Sequence, residues 1–381
     1  MSTGGLFEVP SGTTKIVYRI PWEDEGEDSW KEWGVDMTKV TRVTIPSSVT
    51  TIGDGAFDGC SSLTSIVIPS SVTSIGHYAF AGCSALVSLT IPSSVTSIRD
   101  HAFDGCCKLA SFVYPSSVTS IGGGAFMGCS SLASLEIPSS VTSIGNFAFY
   151  GCSSLTSISI PTSVTSIGDS AFKGCSALAS LEIPSSVTSI GHSAFSECFS
   201  LTDITIPSVT SIGDNAFKFC RSLEDLVIPS SVTSIGHSAF IGCSALASLE
   251  IPSSVTSIGD RAFYKCTSLA SLAIPSSVTS IGHHAFYKCS ALESLVIPSS
   301  VTSIGEEAFY ICSNLTSLTI EDIDNITYIG NKAFANCNLN QVTIKGKEYT
   351  KCNAIITDYY KKIKPNVFEG NNSLGVCELI N

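Results

Sequence analysis

The chain has 381 residues, of which 44% are hydrophobic and only 14% charged, with a net charge of −12. That balance gives ample material for a large core and argues against disorder. The negative field repels phosphate backbones, so no nucleic-acid partner is expected. No window approaches the ~18 consecutive apolar residues of a spanning helix, so no membrane insertion is expected either.

The opening residues, MSTGGLFEVPSG, lack a basic stretch followed by an apolar one, so the simplest expectation is a soluble, cytoplasmic monomer. Sixteen cysteines argue the other way, toward a secreted, disulfide-stapled chain. Their placement has to decide. Residues 1–38 hold all three tryptophans, Trp22, Trp30 and Trp33, around the acidic run Glu23-Asp24-Glu25-Gly26-Glu27-Asp28. This segment reads as an N-terminal cap whose indoles cover whatever follows, with an exposed acidic docking segment as the alternative.

From residue 39 to residue 344 the chain is one repeated sentence. The unit IPSSVTSIGxxAFxGCSSLxSLx recurs every 23 residues, as at Pro46, Pro69, Pro92 and Pro115, and again through Pro298. One serine is missing between Pro207 and Pro229, and two residues are added before the last copy, in IEDIDNITYIG. Thirteen phenylalanine-bearing copies run from Phe57 to Phe334, and a degraded one lies at NVFEGNNSL around Phe368. Residues 345–381 turn basic, with Lys361, Lys362 and Lys364, and read as a C-terminal cap.

Within a unit, Ile66 and Ile68 alternate as a half-buried strand requires, and Pro69 ends the strand because it has no N–H to donate. Val72 and Ile75 form a second short apolar edge, Gly76 permits a turn, and Ala79-Phe80-Ala-Gly-Cys83 suits one turn of helix. Six or so large apolar side chains cannot offset the backbone entropy of ordering 23 residues, so neighbouring units must stack. Residues 23 apart should therefore form columns.

The pattern LxxIxIPxxVxxIGxxAFxxC resembles the BspA-type (Treponema-type) leucine-rich repeat over residues 40–344. Ser71 and Ser94 stand where the common leucine-rich repeat has asparagine, so no asparagine ladder is expected. The resemblance implies a right-handed leucine-rich-repeat superhelix with a concave parallel β-sheet and short helical or 3-10 turns on the convex side. It also implies protein binding, and for some surface members adhesion.

Two columns carry chemistry. Thirteen cysteines fall at one repeat position, from Cys60 and Cys83 to Cys337, with only Cys107, Cys352 and Cys377 outside it. Without the clustered pairs that zinc needs, they read as small buried thiols. A disulfide is most plausible between Cys352 and Cys377. All six histidines fall in the two positions after the Ile-Gly turn, and one of these reads Asp169, His192, Asp214, His237, Asp260, His283, Glu306 along successive units. Aspartate there caps free N–H groups at the start of a short helical turn. A row of metal or proton sites is the sharper alternative.

Two surfaces are candidates for a partner. Acidic exceptions on the otherwise short-chained strand face include Glu182, Asp203, Glu224, Asp225 and Glu250. Beside the phenylalanine column, Tyr264, Tyr287 and Tyr310 appear in three successive units, with Tyr150 earlier and Lys218, Lys265 and Lys288 alongside. No phosphate loop, dinucleotide fingerprint, nucleophile elbow or HExxH is present, so no enzyme, cofactor or metal is expected. The expectation is a non-enzymatic scaffold that binds a protein partner through an elongated face. The alternative is a cell-surface adhesin, with which the Asn-x-Ser/Thr sites at Asn314, Asn325 and Asn371 are compatible.

Overall fold

The computed structural model describes residues 5–17, 29–206 and 209–344, and the backbone of 347–350. The expected pairing of Cys352 with Cys377, the acidic run after Trp22 and the basic residues near Lys361 lie outside the described residues. The chain divides into two compact units, Met1–Phe199 and Ser200–Asn381. Each is a stack of short parallel-stranded coils, and about thirteen turns carry the repeat's phenylalanine.

Most coils offer two strands, and at Ile98 and Ile121 the second is reduced to an isolated bridge. In the first unit one column of three-residue strands includes Arg42–Thr44, Ser65–Val67, Ser88–Thr90 and Ser111–Val113. Its register is one repeat per step, as Arg42 opposite Ser65 and Ser88 opposite Ser111. Each strand is exposed, buried, exposed, so its central residue faces the core. Two-residue strands form the second column, such as Thr51–Ile52 beside Ser74–Ile75 and Ser143–Ile144 beside Ser166–Ile167. The second unit repeats the scheme from Asp225–Val227 to Gln341–Ile344, where Lys347–Thr350 pairs antiparallel and ends the parallel ladder.

Between the columns lies the core. Phe57, Phe80, Phe103 and Phe126 are fully buried and stack nearly parallel, with centroids 5.0, 5.4 and 5.3 Å apart. The second unit has its own stack, with Phe240, Phe263 and Phe286 separated by 5.2 Å at each step. Residues Leu6–Glu8 and Lys15–Ile16 pair with the first repeat at an offset of 36 rather than 23, as Leu6 opposite Arg42 and Lys15 opposite Thr51. There Trp30 stands in the phenylalanine column: it is buried, edge-on to Phe57 at 5.7 Å, and its Nε1 donates to the Ala56 carbonyl at 2.5 Å.

The helical turn expected at Ala79-Phe80 is absent, and the hydrogen bonds say why. Gly55, Phe57 and Gly59 each donate their N–H to the next coil, to His77, Ala79 and Ala81 carbonyls at 2.7 Å. The residues between them, Ala56, Asp58 and Cys60, donate back three positions. A helix would keep all these bonds within one coil, whereas here every second bond ties two coils together. Left-handed backbone at Gly55 and Gly59, with φ of 60° and 71°, makes that alternation possible.

Serine also takes over the missing asparagine ladder. Ser71 Oγ donates to the Val49 carbonyl at 2.6 Å, and Ser186, Ser231 and Ser300 do the same to the valine of the preceding coil. Truncating one phenylalanine in the stack leaves a cavity between two rigid neighbours. Phe126→Ala should lose about 3–5 kcal/mol of stability in chemical denaturation, against less than about 0.5 for the exposed Ser88→Ala.

Candidate functional site

The thiols of the cysteine column are buried, and each points at backbone rather than at another ligand. Cys83 Sγ donates to the Phe57 carbonyl at 3.2 Å and Cys266 Sγ to Phe240 at 3.2 Å, always into the preceding coil. Burial pushes the thiols of Cys152, Cys198 and Cys266 up to about 12, so they carry no thiolate near neutral pH. Only Cys107 is partly exposed among the described cysteines. Native protein treated with a maleimide at pH 7.5 should label Cys107 and none of the buried column, read by peptide mapping.

The Asp/His column is a set of rung-to-rung ties, not caps on a helix. Asp54 Oδ1 accepts the His77 N–H at 2.8 Å, and Asp169 Oδ1 accepts that of His192 at 2.7 Å. In the second unit Asp214 and Asp260 accept from His237 and His283 at 2.7 Å. The imidazoles continue the series through Nδ1, which accepts from Asp260 N–H at 3.2 Å and from Glu306 N–H at 3.1 Å. Carboxylate and imidazole therefore do one job. Among the described residues no three His, Cys, Asp or Glu side chains converge as a metal would need.

The acidic residues lie where the strand period puts them, exposed on the first strand column. Glu182 belongs to the first unit, while Asp203, Glu224, Asp225 and Glu250 belong to the second. Asp225 stands opposite Ser248, and Glu250 lies between Val227 and Ala273. Val227 is 82% exposed, so the face mixes acids with bare apolar side chains.

The tyrosines do come together. Tyr264 and Tyr287 stack at 4.6 Å and 14°, and Tyr287 and Tyr310 follow at 5.3 Å and 34°. All three are half-buried. Burial, then the neighbouring Tyr264, Glu307 and Tyr310, raises the Tyr287 phenol above its ordinary range. Lys265 Nζ lies 5.2 Å from the centre of the Tyr264 ring. Tyr150 belongs to the first unit and has its own cation, Lys173, at 5.6 Å.

Sequence reasoning missed two things here. Phe219 spreads its ring over Gly242 of the next coil, where an added Cβ would come within 2.6 Å of it, and gathers Lys218 and Arg221 at 5.4 and 5.7 Å. Second, the position two after the core phenylalanine is left-handed in every described coil. Glycine fills it at Gly59, Gly82, Gly105, Gly128, Gly151 and Gly174. In the second unit Lys265, Lys288 and Ile311 occupy it at φ of 61°, 58° and 59°. A side chain costs roughly 1 kcal/mol or more there, and most for a β-branched residue. The spacing signal was present as a glycine column that lapses at Glu197, Phe219, Lys265, Lys288, Ile311 and Asn336, three of which follow a tyrosine.

Space is not the obstacle at Gly151, where a Cβ would meet nothing closer than 3.9 Å. Relief of strain alone should then make Lys288→Gly and Ile311→Gly more stable by about 1 kcal/mol each. Gly151→Lys should lose a similar amount, all three read by denaturant melts.

Two strand columns and a stacked phenylalanine, cysteine and leucine core define the class, a leucine-rich-repeat solenoid protein. The BspA type Leucine rich repeat region matches it in six copies over residues 36–152, 119–247 and 233–374, and the chain belongs to that family. A leucine-rich repeat protein from Bacteroides ovatus is similar at 34% identity and a TM-score of 0.66, covering 77% of this chain and 82% of that one. A leucine rich cell surface protein from Faecalibacterium prausnitzii is similar at 32% identity and 0.55, covering 81% and 88%. A third, from Eubacterium ventriosum, has 26% identity and 0.50, covering 82% and 91%. No curated protein matches the chain.

Proposed function

We propose that this protein is a non-enzymatic interaction scaffold whose second unit binds a protein partner through the tyrosine and lysine strip of residues 218–310. One observation carries the reading. The stacked Tyr264, Tyr287 and Tyr310 stand on three successive coils that also carry Lys265, Lys288 and Ile311 at a left-handed position that Gly151 and Gly242 hold without strain. Strain without a structural return concentrates where a surface has work to do. Tyrosine is also the residue type that dominates binding energy at protein interfaces. The acidic strand face, with Glu182, Asp203, Glu224, Asp225 and Glu250, has no comparable anchor and is the lesser candidate.

A second reading is favoured by the Faecalibacterium relative, which is a cell surface protein. On that reading the strip faces the exterior and the protein is an adhesin. The cytoplasmic placement expected from the opening residues has no such support. Brief protease treatment of intact cells should remove a surface protein and spare an intracellular one.

The binding reading is tested by replacing Tyr264, Tyr287 and Tyr310 together with alanine. Affinity for a partner recovered by crosslinking and mass spectrometry should fall about 30-fold or more, with the β-sheet circular dichroism unchanged. A folded triple variant that keeps full affinity removes the strip from consideration.

A further inference from the structure

We infer that the partner reaches this strip with an acidic, extended peptide segment, an inference that rests on the strip being the binding face. The argument is the segregation of charge. The five stretches 217–222, 240–245, 263–268, 286–291 and 309–314 run along one side of the second unit and contain Lys218, Arg221, Lys265 and Lys288 and no acidic residue. The same unit's carboxylates sit elsewhere. Asp203, Glu224, Asp225, Glu250 and Glu293 line the first strand column, and Asp214, Asp260, Glu306 and Glu307 follow the Ile-Gly turns. A chain of net charge −12 thus keeps one purely cationic line.

The lysines on that line are not tied to carboxylates. Glu307, the nearest acid in the turn column, already meets His284 at 3.4 Å and Lys332 at 4.0 Å. Among the described residues Lys218, Lys265 and Lys288 make no ion pair, and aromatic rings rather than carboxylates position Lys218 and Lys265. Lys265 and Lys288 hold left-handed backbone that glycine would hold without strain. Their side chains are what that strain retains.

Geometry narrows the ligand further. Because the tyrosines stack face to face along the coils, they offer edges and hydroxyls, not open faces. A ring edge is the positive part of its quadrupole and a phenol is a donor. Lysine ammonium, phenol hydroxyl and ring edge all favour the same partner chemistry, carboxylate oxygens. Carboxylates placed along an extended strand can meet successive coils, which are about 4.8 Å apart.

The test uses the full chain and a fluorescein-labelled poly-glutamate peptide, with binding read by anisotropy. Wild type should bind, and binding should weaken steeply with added salt. Lys265→Gly with Lys288→Gly should weaken it about tenfold while raising the denaturation midpoint, two shifts of opposite sign that a merely structural role would not give. The arginine pair at the same positions should keep the affinity. Glu224→Lys with Glu250→Lys, on the other face, should leave it unchanged.

Equal binding by wild type and the glycine double variant overturns the inference, since the peptide would then be held elsewhere, as by the basic residues near Lys361. Binding of heparin in place of the peptide, lost in the same variant, overturns it in favour of a sulfated glycan. If the tyrosine variant loses its partner while the lysine variants keep it, the strip stands and its acidic ligand falls. If neither variant loses the partner, both readings fall together.

Discussion

Hydrogen bonding from one coil to the next is the constraint on which everything else depends. At each step both strand columns, alternate N–H groups of the phenylalanine turn, serine hydroxyls, cysteine thiols and the Asp/His side chains all bond to groups one repeat away. Backbone polar groups must be satisfied somewhere when buried. A 23-residue coil has too few residues to satisfy its own. Its neighbour supplies the partners, and the repeat length becomes a structural period. That is why a coil has no helix: a helix would close its bonds on itself and leave the adjacent coil unpaired.

Most of the architecture was legible because the period is a physical one. Alternation at Ile66 and Ile68, the strand-ending Pro69 and the column of Phe57 to Phe334 each predicted an element or a core position that the structure contains. The helical turn was misjudged for a specific reason. Ala-Phe-x-Gly-Cys has the composition of a short helix, but alternating left-handed residues such as Gly55 and Gly59 redirect every second N–H across coils. Local propensity is a weak prior when tertiary pairing competes for the same donors. The N-terminal segment was likewise legible in kind but not in detail. Nothing in the spacing announces that Trp30, 27 residues before Phe57 rather than 23, takes a phenylalanine's place.

The surfaces were harder, and the Asp/His column shows why. Alternating acid and imidazole read as caps on a short helical turn, with a row of metal or proton sites as the sharper alternative, because both residue types bind metals. In the fold both are acceptors for the same N–H in the next coil, so their interchange keeps one hydrogen bond while changing the residue. A sequence records the identity of a side chain, not the direction of its lone pair. Lys265 and Lys288 teach the converse. Their role was half-visible beside the tyrosines, but only the backbone dihedral reveals that each sits where glycine would be easier.

A near-uniform repeat also makes departures from uniformity informative. Where one position is repeated thirteen times under the same local geometry, the other copies serve as internal controls. Gly151 and Lys288 occupy the same backbone conformation, with φ of 71° and 58°, so the difference between them is the side chain alone. The phenylalanine column shows no such departures: Phe126 and Phe286 are both fully buried and stacked on their neighbours. Elsewhere in the core Phe112 and Tyr114 stand where other coils have leucine and isoleucine, and Tyr114 buries its hydroxyl without a partner among the described residues. On the outside, the second unit sets Lys265 and Lys288 beside stacked tyrosines at a position where Gly151 shows that no side chain is needed.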